Sequence, residues 1–212
     1  MRVTEAEAAK RVDERMRLMD TLLVRLREFQ SDRFDEERAG KADEALDILR
    51  SHFSRRGSEW MPDDTAVLYY GSMLYHDPNE LDMDVVLLGA YSIPKVVEIK
   101  TKLENVTDWP TPPKELWGRA DVWQVSSEEI KRQAPIYGTQ EDLYGPIAFK
   151  AALVLSSEPL FPTNFHQVSL LNQARSDVIQ LAREYPNFRD GIIYNLVEVV
   201  KRRQIRRGLR KN

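Results

Sequence analysis

The stretch YYGSMLYHDPNELDMDVVLLG, residues 69–89, decides how this chain is read. A short apolar run ends at Gly71-Ser72 and nine residues follow. A second run then opens with acids in alternation, Asp82-Met83-Asp84, and continues as Val85-Val86-Leu87-Leu88. Its apolar, β-branched texture is that of a buried strand. Residues i and i+2 of a strand share a face, so Asp82 and Asp84 point one way and Met83 and Val85 the other, against packing helices. A buried carboxylate is costly unless something compensates it, and two on one face repel each other. A divalent cation answers both problems. Hard cations want oxygen ligands, and Mg²⁺ commonly takes one or two carboxylates together with phosphates. Gly71 permits a tight turn and a close approach to the backbone. If Ser72 opens a short helix, its hydroxyl and the free N–H groups there suit an anion. A metal site and a phosphate site nine residues apart suggest a metal–nucleotide site.

Outward from this stretch, the texture alternates between strand and helix. AVLYYG (66–71) and DMDVVLLG (82–89) read as strands, and ADVWQVS (120–126) as a third. Between them SIPKVVEIKTKLENV has helical spacing, with Ser92 as cap and Pro94 in the first turn. A short helix is expected in SSEEIKRQAPIYG, a helix with Pro146 near its start in the segment ending ALVLSSE, and a short extended piece in EPLFP. Toward the N-terminus, residues 4 to about 31 form one helix, capped by Thr4, with Val12, Met16, Met19, Leu23 and Leu26 on one stripe. SDRFDEERAG is a polar break, and a second helix runs from about Lys41 to Arg55. Two further helices are expected over about 167–184 and 190–208. Strands interleaved with helices imply an α/β core between helical flanks. The expected division is an N-terminal helical extension over 1–58, a core over 59–162 and a C-terminal helical region over 163–212.

The chain's 212 residues suffice for one substantial core with helical additions. It has no cysteine, which excludes disulfides, thiolate zinc sites and cysteine nucleophiles together. The N-terminus is too charged for a signal peptide, and no run of about 18 apolar residues exists, so the expectation is a cytoplasmic protein without a membrane partner. The net charge of −3 hides an asymmetry. The last twelve residues, KRRQIRRGLRKN, hold seven of the 31 basic residues and no acid, which leaves 24 against 34 acids, or −10, for residues 1–200. Contact with nucleic acid through residues 201–212 is one reading of this tail. A solvated helix end is the other.

Gly-Ser, a short gap, and Asp-apolar-Asp at the start of a strand resemble the signature of the DNA polymerase β-like nucleotidyltransferase superfamily. Gly71, Ser72, Asp82 and Asp84 match it residue by residue. Members usually carry a third carboxylate on a later strand, and Asp121 in RADVWQVS is the obvious match. The resemblance covers about residues 65–125. The gap is short and carries Tyr75, His76 and Pro78 where an additional glycine is often found. The resemblance implies a mixed sheet with packed helices, α+β in the broad sense. It also implies an Mg²⁺- or Mn²⁺-dependent enzyme in which Asp82, Asp84 and Asp121 are metal ligands and catalytic residues, and Gly71 and Ser72 bind the nucleotide. The reaction implied moves an NMP from an NTP, with ATP the expected nucleotide, to a hydroxyl acceptor and releases pyrophosphate. The acceptor is left open among a small molecule, a protein side chain and RNA.

Other readings compete with this one. A non-catalytic, nucleotidyltransferase-like module that binds RNA or regulates is the alternative, and retention of all three acids argues against it. An EF-hand loop counted from Asp77 fails, because its sixth position is Asp82 rather than Gly and its twelfth is Leu88 rather than Glu. Lys150 suits triphosphate charge or is simply solvated. Trp109 and Trp117 suit either stacking of a base or cover for the core edge.

Overall fold

The computed structural model describes residues 4–31, 36–74, 83–107, 120–137 and 146–209. Among them the elements run α1 (Glu5–Ser31), α2 (Glu36–Arg56), β1 (Ala66–Tyr69), α3 (Gly71–Leu74), β2 (Met83–Leu88), α4 (Ile93–Glu104), β3 (Ala120–Val125), α5 (Ser127–Tyr137), α6 (Pro146–Ser156), β4 (Glu158–Pro159), α7 (Phe165–Glu184) and α8 (Pro186–Leu209). The class is α+β with one mixed sheet, in the order β3-β2-β1-β4. β1 lies antiparallel to both β2 and β4, while β2 and β3 are parallel. The chain forms two compact units, each assembled from separated segments. One comprises Gln30–Ser127 and Ser157–Ala174, and the other Met1–Phe29, Glu128–Ser156 and Arg175–Asn212.

The first unit holds the sheet. Alternation along β2 sends Met83, Val85 and Leu87 into a core with Val67 of β1 and Ala120 of β3, against Leu46, Leu49 and Phe53 of α2 and Ile99 and Leu103 of α4. This is the helix-covered face expected for Met83 and Val85. Every residue of β2 is buried, as its unbroken apolar run requires. Ser92 caps α4 by accepting from the Lys95 N–H, and Pro94 stands in the first turn, where its missing donor costs nothing. At the far end of β1 the Tyr91 hydroxyl donates to the Trp60 carbonyl at 2.8 Å and lies 3.1 Å from Thr65 Oγ1. Burial pushes the Tyr91 phenol up to about 12, against the opposing effect of its hydrogen bond with Thr65.

The second unit is helical. Thr4 and Glu7 cap α1 reciprocally: the Glu7 N–H donates to Thr4 Oγ1 at 3.3 Å and the Thr4 N–H to Glu7 Oε2 at 2.8 Å. Met16, Met19, Leu22, Leu23 and Leu26 form its buried stripe. α6 is apolar nearly all round and packs against α8. Ion pairs join elements of this unit, with Lys131 to Asp177 at 3.0 Å and Arg15 to Asp190 at 3.0 Å.

Three helices begin earlier than the spacing of apolar residues indicates. α2 starts at Glu36 rather than near Lys41 and runs through Gly40, which is exposed and costs the helix only its propensity, about 1 kcal/mol. α8 starts at Pro186 rather than near 190, because proline at the first helical position gives up a donor that had no partner. α7 starts at Phe165, where the Asn164 carboxamide caps it by accepting from the Gln167 N–H at 3.2 Å. The added turn of α2 is polar and carries no apolar stripe, whereas α7 and α8 are extended by a cap and a proline, which apolar spacing does not register. Among the described residues no helix is long and apolar enough to cross a membrane.

Candidate active site

The candidate acids stand where β2 and β3 run side by side. Asp84 is the second residue of β2 and Asp121 the second of β3, and the parallel register pairs them directly. Register partners on adjacent strands point to the same face and lie about 4.8 Å apart along the sheet. That face is opposite to the helix-covered core, and Val86, Leu88, Trp123 and Val125 follow the two acids along it. The two environments differ. Asp84 is 6% exposed, whereas Asp121 is open to solvent.

β1 brings the glycine of the motif to the same place. The Tyr70 N–H donates to the Asp84 carbonyl at 3.2 Å, which holds the end of β1 against the start of β2. Gly71 follows with φ +69° and opens α3, the short helix expected after the first strand. A Cβ built on Gly71 would fall 1.7 Å from Asp84 Oδ2 and 2.7 Å from its Cγ. The turn expected at the glycine is present, and the group packed against it is the Asp84 carboxylate of the chain itself. The Asp84 side chain therefore has its position defined by a backbone, not only by its own strand.

Of the other predicted positions, Ser72 is the second residue of α3. Asp82 lies outside the described residues, as do Tyr75, His76, Pro78, Trp109 and Trp117. Lys150 sits on α6 with its ammonium 2.7 Å from Glu129, so its charge has a structural partner. Among the described residues no group of three or more His, Asp or Glu side chains is placed to hold a metal ion, which leaves Asp84 and Asp121 as a pair. Two adjacent carboxylates fit a hard divalent cation, which completes its shell with water or phosphate oxygens.

Sequence reasoning did not foresee the direct Asp84–Asp121 pairing or the Gly71–Asp84 contact. The first had only a partial signal: Asp121 is second in its strand-like run, but the run read from 82 puts Asp84 third, and only the start of β2 at Met83 brings the two into register. The second had none, since nothing in a linear spacing shows which atom meets a glycine. A separate cleft of about 520 Å³ lies at the Thr65 end of β1, lined by Gly57, Met61, Asp63, His166 and Gln167 among others, and neither acid of the pair reaches it. Comparison of the chain with protein-family models, with curated proteins and with solved structures finds no match.

Proposed function

We propose that the protein is a nucleotidyltransferase of the DNA polymerase β-like kind, moving an NMP from an NTP to a hydroxyl acceptor. One observation carries the reading. Asp84 and Asp121 are register partners on parallel strands, on the face turned away from the helix-covered core, with Gly71 packed against the Asp84 carboxylate. The sequence places Asp82 two residues before Asp84 and Ser72 directly after Gly71, which completes the motif.

In this reading Asp84 and Asp121, together with Asp82, hold Mg²⁺ or Mn²⁺, which would neutralise triphosphate charge. The buried Asp84 serves as the fixed ligand, because Gly71 restricts where its carboxylate can go. The solvent-open Asp121 faces the acceptor and takes up or orients its hydroxyl proton. The acceptor oxygen forms a bond to the α-phosphorus, the bond from that phosphorus to the bridging oxygen breaks, and pyrophosphate leaves. Gly71 and Ser72 meet the phosphates from the β1–α3 turn. ATP is the nucleotide to try first.

The test is transfer of label from each α-labelled NTP, with Mg²⁺ or Mn²⁺, into a mixed acceptor pool from cell lysate. Asp84→Asn and Asp121→Asn should each lower transfer by roughly 10²–10³-fold while the fold is kept. Transfer that survives both substitutions would sink the proposal. So would a failure to bind any Mg²⁺–NTP by calorimetry, a result that favours a non-catalytic module.

A further inference from the structure

The strand acids leave the end of α8 unexplained. Seven cations stand between Lys201 and Lys211, and no acid follows Glu198, which pairs with Lys201 at 3.0 Å. α8 nevertheless runs unbroken to Leu209. The helix dipole favours cations only in the final turn. That accounts for Arg206 and Arg207, and Glu198 partners Lys201, but the dipole does not reach Arg202, which lies further back. Like charges three and four apart oppose helix formation, and Arg202 with Arg206, Arg203 with Arg206 and Arg203 with Arg207 are such pairs. A polyanion lying along this helix would turn that repulsion into attraction.

The spacing of charge indicates which polyanion. A helix rises about 1.5 Å per residue, so the five cations from Lys201 to Leu209 recur about every 2–3 Å along the axis. Phosphates recur about every 1.7 Å along duplex DNA and every 3.4 Å along one strand. Arginine outnumbers lysine in the run, and its planar fork suits phosphate oxygens. A lipid surface would call for a broad apolar face, yet Ile205 and Leu209 are the only large apolar residues after Val200. We propose that the basic run of residues 201–211, whose first nine residues close α8, binds the phosphate backbone of a nucleic acid without reading its sequence. This inference stands apart from the transfer chemistry. Loss of binding in a tail variant leaves the strand acids untouched, and loss of transfer in an acid variant leaves the tail untouched, so the two readings fail separately.

The experiment is fluorescence anisotropy of the full chain with labelled oligonucleotides as single-stranded RNA, single-stranded DNA and duplex DNA, repeated across a range of KCl. The slope of log affinity against log salt is expected at about −3 to −5. The triple variant Arg202→Gln, Arg206→Gln, Arg210→Gln should flatten it by about 2 and weaken binding at least ~10-fold at low salt. The same three positions changed to Lys keep the charge and should stay within a few-fold of the parent. If the glutamine variant loses helicity, deletion of residues 201–212 supplies the comparison with no helix end to preserve. Unchanged affinity and slope in the charge-removed variants would overturn the proposal. Absence of binding to all three oligonucleotides at low salt would do the same, as would binding to phosphatidylserine vesicles in their place.

Discussion

At Gly71 the chain has no room for a side chain, and two independent reasons coincide. The backbone is left-handed there, which costs an L-residue about 1 kcal/mol, and the space a Cβ would fill holds the Asp84 carboxylate. Gly71→Ala should therefore destabilise the protein by about 1–3 kcal/mol in urea unfolding and also disturb the acid pair. Gly40→Ala is the matching control. It lies inside α2 with nothing within 4 Å of an added Cβ, and should stabilise by about 0.5–1 kcal/mol. A Gly71→Ala variant as stable as the parent would show that Asp84 is free to move. At this scale the sequence conveys which face each residue of β2 takes and is silent about what meets Gly71. Alternation put Asp84 and Met83 on opposite faces, because the strand period is fixed by geometry. The contact between Gly71 and Asp84 depends on how β1 and β2 pair, which is not a local property.

Among the elements, α4 and the β1–β2 pair show how much a strand end relies on its surroundings. Ile99 is fully buried under the sheet, whereas Ile93, six residues earlier on the same helix, is 76% exposed. Ile99→Ala should cost about 2–5 kcal/mol and Ile93→Ala less than about 0.5 kcal/mol, a contrast that chemical denaturation would read directly. Tyr91 fastens the other end. Below the ordinary tyrosine value near 10 its phenol is neutral in the folded and unfolded chain alike, and its contribution is complete. Between there and the folded value of about 12, the unfolded chain gives up the proton first. Stability should therefore fall as pH rises through this window, by about 2–3 kcal/mol at most. Tyr91→Phe should cost about 1–2 kcal/mol at neutral pH, since it leaves the Trp60 carbonyl without its donor. It should also flatten the alkaline slope seen in melting temperature between pH 9 and 11.5. Part of the slope would remain, because burial raises Tyr69 as well, with Glu158 adding to it. An alkaline profile unaltered by Tyr91→Phe would place the titration elsewhere.

Across the whole molecule, what a linear reading conveys and what it conceals are separated by contact distance along the chain. Helix stripes and strand alternation are set within about ten residues, which is why α1, α4 and the strands stand close to where periodicity places them. The compact units are not set locally. The sheet unit draws its last segments, Ser157–Ala174, from beyond two helices that belong to the other unit. Those segments are structural parts of the sheet core. Leu160 is fully buried in it, its N–H donates to the Val67 carbonyl at 2.8 Å, and its carbonyl accepts from Arg50 at 2.9 Å. Gln167, 3% exposed, accepts from the Val67 N–H at 3.3 Å. β1 would consequently stand as a bare sheet edge in any fragment that stops before them, with its donors and acceptors open to other chains. A fragment of residues 30–127 should thus fail to melt cooperatively and should aggregate, although it contains Gly71, Asp84 and Asp121. A fragment of residues 30–174 contains every segment of the sheet unit and should show a cooperative transition by near-ultraviolet circular dichroism. Cooperative melting of the shorter fragment would show that β4 and the start of α7 are dispensable to the sheet, and that the strand acids can be studied without them.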